Sequence, residues 1–168
     1  MTPDITLVIT NWNGSELLRE CLPSVIRATK FDSDHVYEIM VIDDCSTDNS
    51  LDVLKNEFPI VRREKTPHNL GFQGANNYGV QLANSSVVMP MNNDMKLDQK
   101  ALYYLARHFD NKGMFAVSGK IFDFDNSANG NTSDNNVKSR LAPRIIKIFI
   151  YRVVLFFFLC FISLLLLY

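Results

Sequence analysis

Three groups of polar side chains stand where short apolar runs end. Thr10, Asn11, Trp12 and Asn13 close ITLVIT, Asp43 and Asp44 follow EIMVI, and Asn92, Asn93 and Asp94 follow VVMPM. Of the two adjacent carboxylates at 43 and 44, one could accept hydrogen bonds from a base or a ribose. Helix capping by the following Ser46, Thr47 and Asp48 is the structural alternative for that segment. At 92–94, one carboxylate and two amides match what Mg²⁺ takes when it is shared with a substrate: one or two carboxylates, the rest from phosphate oxygens and water. A simple turn accounts for Asn-Asn-Asp equally well.

A fourth segment, HNLGFQGANNYG from His68 to Gly79, places Gly71 and Gly74 at a helix start. Glycine there permits close backbone approach, and a helix N-terminus suits anionic groups, although turn formation alone would also use it. The segment is neither a P-loop nor a dinucleotide fingerprint, because it lacks GKS/T and GxGxxG. His35, His68 and His108 are isolated, and Cys45 has no histidine beside it in the sequence. Trp12 and Phe72 could stack on a base or pack in the interior.

These groups need strands and helices to position them. Ile5–Thr10, Glu38–Ile42, Val61–Lys65, Val87–Met91 and Phe115–Lys120 read as strands. Leu17, Leu18, Cys21, Leu22, Val25 and Ile26 recur at three- and four-residue steps, one face of a helix. Further helices are expected over Phe72–Ala83 and Asp98–Asn111. The βαβαβαβαβ order predicts an α/β fold, a mostly parallel sheet with flanking helices, whose ligands sit at the carboxyl ends of the strands.

The chain has 168 residues, with 17 Lys and Arg against 18 Asp and Glu for a net charge of -1. This balance excludes a nucleic-acid binder driven by positive charge. Three scattered cysteines argue against a disulfide framework or structural zinc, and no basic-then-apolar leader opens the chain. A cytoplasmic location is the default. Composition divides the chain into 1–122, a polar then basic linker at 123–144, and an apolar segment at 145–168. From Val153 to Leu167 no residue is charged. Counted from Ile145, the segment is long enough for a single C-terminal membrane helix, with Lys147 and Arg152 reaching the interface. Its flanking basic residues would keep the main domain on the cytoplasmic face. An apolar tail without a membrane role is the alternative, and the chain would then be simply cytoplasmic.

Taken in order, ITLVITNWNG, YEIMVIDDCSTDNS, NLGFQGANNYGV and VVMPMNNDM resemble the family 2 glycosyltransferases, most closely their rhamnosyltransferase-like branch, from about Asp4 to Phe122. The resemblance implies a Rossmann-like GT-A fold, here the nucleotide-diphospho-sugar-binding half. It places Thr10 and Asn11 near the nucleobase, with Asp44 accepting a hydrogen bond from it. Asp43 joins this donor-binding group, Asn69 and Gly71 border the pocket, and Asn92, Asn93 and Asp94 stand at the DXD motif. Asp94 would hold the divalent metal, Mg²⁺ or Mn²⁺.

The activity so implied is transfer of a sugar from a nucleotide-diphosphate donor to a glycan or lipid-linked acceptor hydroxyl, with inversion. The family's general base is expected in a downstream Glu-Asp-type motif. Beyond Asp125, however, the sequence carries one acid, Asp134. Two expectations follow: a glycosyltransferase or a derivative of one, or a non-catalytic, membrane-tethered nucleotide-sugar-binding module or truncated remnant.

Overall fold

The computed structural model describes residues 4–119 and the backbone of 150–152. The elements run β1 (Ile5–Asn11), α1 (Ser15–Phe31), β2 (Tyr37–Asp43), α2 (Ser50–Glu57), β3 (Arg62–Lys65), α3 (Gly71–Leu82), β4 (Val87–Asn92), α4 (Ala101–Ala106), β5 (Ala116–Val117) and β6 (Ile150–Arg152). Strand order is β3-β2-β1-β4-β6-β5. β1, β2, β3 and β4 are parallel, with Leu7 opposite both Ile39 and Met89.

β1 is buried along its whole length because helices cover both faces, which is why ITLVIT is continuously apolar instead of alternating. Its odd residues Ile5, Leu7 and Ile9 join Leu18, Leu22 and Val25 of α1, Leu54 of α2 and Leu102 of α4. Its even residue Val8 joins Met40, Ile42, Val88 and Ala75 of α3 on the other face. Burying each such Leu, Ile or Val contributes roughly 1.5–3 kcal/mol. α3 lies close to the sheet because Gly79 has no side chain. A Cβ there would overlap Val8 Cγ1 and stand 2.8 Å from Ile42 Cγ1.

From β1 the chain adds β2 and β3 on one side, then returns through α3 to place β4 on the other side of β1. That reversal opens a crevice beyond the carboxyl ends of β1 and β4, the usual ligand position in such sheets.

Three expectations about the second half change. The helix expected over Asp98–Asn111 is α4 followed by a 3₁₀ turn at Arg107–Asp110. Asp98 Oδ1 accepts the Lys100 amide at 2.9 Å, and this side-chain turn delays the helix start. The fifth strand is two residues long and pairs antiparallel with β6. Residues Ile150–Arg152, expected inside an apolar helix, instead form strand β6, antiparallel to β4 through Val87 and Val88. Ile and Tyr suit a strand as well as a helix, and the open edge of β4 supplies the partner. The linker at 123–144 and the rest of 145–168 lie outside the described residues. Among those described, no helix is long and apolar enough to cross a membrane.

Candidate functional site

A cleft of about 560 Å³ opens at the carboxyl ends of β1, β2 and β4. β1 and the residue after it supply Thr10, Asn11 and Trp12, while Asn92, Asn93 and Asp94 come from the end of β4. Asp44 follows β2, and Asn69, Gly71, Phe72 and Ala75 precede or open α3. Asn13 and Gly74 do not line this cleft, and of the residues assigned to the donor and the metal all do except Asp43. That carboxylate is 0% exposed and lies behind the wall.

The two adjacent aspartates thus divide. Asp43 Oδ1 accepts Asn11 Nδ2 at 3.1 Å, and its Oδ2 accepts the Ser46 amide at 3.0 Å. Asp44 turns the other way, as alternation along an extended chain requires. Its Oδ1 accepts the Thr66 hydroxyl and the Leu70 amide, both at 2.8 Å. Among the described residues, both hydrogen bonds to the Asp44 side chain therefore fall on one oxygen, Oδ1. Asn69 braces the same corner, giving Nδ2 to the Asp44 carbonyl at 3.2 Å and accepting the Gly71 amide at 3.2 Å. Gly71 has a φ of +69°, the left-handed region that favours glycine. Leu70, which precedes α3, offers no side-chain cap and no acid occupies the first turn, so Asn69 is the side chain that takes the first amide of the helix.

The loop after β2 is locked to the loop after β1. Asn13, with φ +50°, accepts the Thr47 and Asp48 amides on Oδ1 at 2.7 and 3.3 Å. Its own amide donates to Ser46 Oγ at 2.8 Å. Asp48 caps two helices, accepting the Ser50 amide of α2 and the Ser15 amide of α1, each at 3.0 Å. Burial works against its charge, but the hydrogen bonds from Ser50 and Ser15 hold its carboxyl below the ordinary Asp value. Capping thus accounts for Asp48, whereas Ser46 and Thr47 serve the Asn13 lock. The sequence pointed to turn residues here without revealing that two distant turns bind each other. Thr66 belongs to no motif, and Gly14, although it ends ITLVITNWNG, carried no signal of its own role.

The described wall of the cleft carries two carboxylates and no Lys, Arg or His. Among the described residues no group of three or more His, Cys, Asp or Glu could hold a metal by itself. This donor set suits a cation shared with a phosphate ligand, where one carboxylate suffices, and does not suit a metal held by protein alone. Asp94 is exposed at the cleft, and the thiol of Cys21 on α1 is buried. Burial, with a smaller contribution from the Asp94 charge, pushes that thiol up to about 12. Cys45 donates to the Thr66 carbonyl at 3.4 Å. Neither thiol has the electropositive surroundings of a nucleophile. Trp12 and Phe72, 62% and 64% exposed, offer aromatic faces to the cleft instead of packing in the core.

The sequence profile described as Glycosyl transferase family 2 matches residues 6–165. Poly(ribitol-phosphate) beta-glucosyltransferase of Bacillus spizizenii is 32% identical over 102 residues, 58% of this chain and 16% of that protein. Poly(ribitol-phosphate) beta-N-acetylglucosaminyltransferase TarP of Staphylococcus aureus is 27% identical over 149 residues, 79% of this chain and 45% of its own length. The crystal structure of S. aureus TarS 1-349 in complex with UDP-GlcNAc has a TM-score of 0.66 at 20% identity, covering 90% of this chain and 46% of that one. Mannosyltransferase PcManGT from Pyrobaculum calidifontis in complex with GDP-Man and Mn²⁺ has a TM-score of 0.59 at 19% identity, covering 70% of this chain and 35% of that one. At these identities the structural likeness is one of fold. This chain spans less than half the length of each of these relatives. The sugars in their names are diverse and do not specify a rhamnosyltransferase-like branch.

Proposed function

The chain belongs to glycosyl transferase family 2, and on that premise we propose that its cleft binds a nucleoside diphosphate sugar together with a divalent cation and serves inverting sugar transfer. One observation carries the reading: two carboxylates line the crevice, the buried Asp44 and the exposed Asp94, without a cationic side chain on its described wall. A diphosphate entering such a site meets like charge unless a cation enters with it.

Asp44 takes the nucleobase end. Its Oδ2 accepts an imide N–H such as that of uracil or thymine, while Thr66 and Leu70 keep the carboxylate from rotating. Trp12 supplies a face on which the base stacks, and Thr10, Asn11, Asn69 and Gly71 complete this end. Uridine is favoured because structures of TarS contain UDP-GlcNAc or UDP. Asp94 takes the diphosphate end, with Asn92 and Asn93 beside it, and would hold Mg²⁺ or Mn²⁺. When bound, the cation supplies positive charge that offsets the charge on the departing diphosphate. A Mn²⁺ complex of PcManGT supports this part of the reading. In the transfer itself an acceptor hydroxyl, of a glycan or lipid-linked molecule, loses its proton to a base and attacks the anomeric carbon from the face opposite the nucleotide. The described residues of this chain serve by binding and orienting the donor.

A second reading is a nucleotide-sugar-binding module without transfer. It is favoured by the cleft's acids, since Asp44 and Asp94 are both assigned to the donor and no third carboxylate lines the described wall. Seating at the cytoplasmic face of a membrane through the charge-free run Val153–Leu167 belongs to the same proposal; recovery of the full chain from cells without detergent would remove it.

Trp12 is the chain's one tryptophan and lines the cleft, so its emission reports the site directly. Titration with UDP, dTDP and GDP in Mn²⁺ should quench it saturably for the first two. No change with any of them would refute the nucleotide site. Release of the diphosphate in the presence of a hydroxyl acceptor separates transfer from binding alone.

A further inference from the structure

Asp43 does not reach the cleft, yet it determines how a cleft residue is presented. A carboxylate accepts hydrogen bonds and donates none. Asn11, only 2% exposed, must therefore turn its NH₂ toward Asp43, and Nδ2 does donate to Asp43 Oδ1 at 3.1 Å. The Asn11 carbonyl is thereby directed toward Asn93, which must answer with its own NH₂. Asn93 Nδ2 donates to Asn11 Oδ1 at 2.8 Å. That leaves the Asn93 carbonyl oxygen without a hydrogen-bond partner among the described residues, on a side chain that lines the cleft next to Asp94. The orientation of an amide is ordinarily ambiguous from shape alone; here an acceptor-only group at the end of the chain of bonds removes the ambiguity. Gly14 makes room for the bridge. A Cβ at that position would overlap Asn93 Nδ2 and stand 2.7 Å from Asn11 Oδ1.

We propose that Asp43 is a positioning residue that acts through Asn11 to hold the Asn93 amide with its oxygen toward the ligand, so that the cleft presents an acceptor beside Asp94. The oxygen serves either the bound cation or a ribose hydroxyl of the nucleotide; both require an electron-pair donor there. This rests on the reading of the cleft as a nucleoside diphosphate site.

The relay has a specific rescue. Asp43→Asn allows Asn11, and then Asn93, to turn over. Asp43→Asn/Asn11→Asp instead exchanges the two groups and again leaves an acceptor-only group facing Asn93, which must keep donating. Side-chain amide NMR of the unliganded full chain should show hydrogen-bonded Asn93 protons in the wild type and the exchanged variant, and their loss in Asp43→Asn. Calorimetry with UDP and Mn²⁺ should show Asp43→Asn and Asn93→Ala weakened by about 10- to 100-fold, as for other groups that orient metal ligands. The exchanged variant should recover wild-type affinity. A loss seen only with Mn²⁺ present assigns the oxygen to the cation, and a loss seen equally in EDTA assigns it to a hydroxyl. Folded Asp43→Asn with wild-type affinity, an exchanged variant as weak as the single one, or a silent Asn93→Ala overturns the relay. Asn93 is half-buried, so its variant keeps the test alive should Asp43→Asn fail to fold. If the wild type binds no nucleotide, the cleft reading fails instead, and the amide spectra still decide the bridge.

Discussion

Asp44→Asn separates the two tasks of one carboxylate. The Thr66 hydroxyl and the Leu70 amide both donate to Oδ1 at 2.8 Å, and the carbonyl oxygen of the substituted amide can accept both. The fold should therefore persist, with a Tm close to that of the wild type. What changes is Oδ2, where an acceptor becomes an NH₂ donor facing the imide N–H of uracil. A hydrogen bond to a charged group contributes about 1.5–3 kcal/mol, more than one to a neutral group. At 1.4 kcal/mol per decade, UDP binding should weaken by about 10- to 150-fold. Cytosine carries an acceptor at the same ring position, so CDP should gain where UDP loses. Calorimetry of both nucleotides in Mn²⁺, alongside circular dichroism melts, measures the ratio. Folded Asp44→Asn that binds UDP as the wild type does, or that loses UDP and CDP equally, would refute the assignment of Asp44 to the base.

Other expectations follow from packing and charge. Gly79→Ala forces a methyl against Val8 and Ile42, where α3 meets the sheet; it should cost roughly 1–3 kcal/mol, and an unchanged Tm would contradict the close approach. Acid should destabilise the fold through Asp32 and Asp48. Burial opposes their charge, but the Tyr37 hydroxyl, the Asp34 amide and His35 hold Asp32 below its ordinary value, and Ser50 and Ser15 do so for Asp48. A carboxyl lowered on folding contributes stability that is complete above its unfolded value and lost as pH falls through the folded one, so Tm should decline below about pH 4. A Tm that is flat from pH 5 to 3 would count against these hydrogen bonds.

The strand ends were legible because β1, β2 and β4 are buried runs, so polar residues at their ends stand out against apolar sequence. Asp43 and Asp44 could not be separated there. Neighbours on a strand point opposite ways, but which one faces the cleft depends on Thr66 and Leu70, contributed from more than twenty positions away. The same distance hid the Asn11–Asn93 bridge and the role of Gly14. α4 came out shorter than its apolar spacing implied because Asp98 uses its side chain on its own turn. β6 was misread for a different reason. Ile, Tyr, Val and Phe around Arg152 satisfy a helix and a strand alike, and the open edge of β4, about sixty positions earlier, selects the strand.

The most direct test of the account is calorimetry of the full chain with UDP, in Mn²⁺ and in EDTA, for the wild type and for Asp94→Ala. A cleft with two carboxylates and no described cationic side chain should bind UDP strongly only with the cation present, and Asp94→Ala should bind weakly in both buffers. UDP binding that is indifferent to Mn²⁺ and to Asp94, or no binding under any of the four conditions, would contradict it.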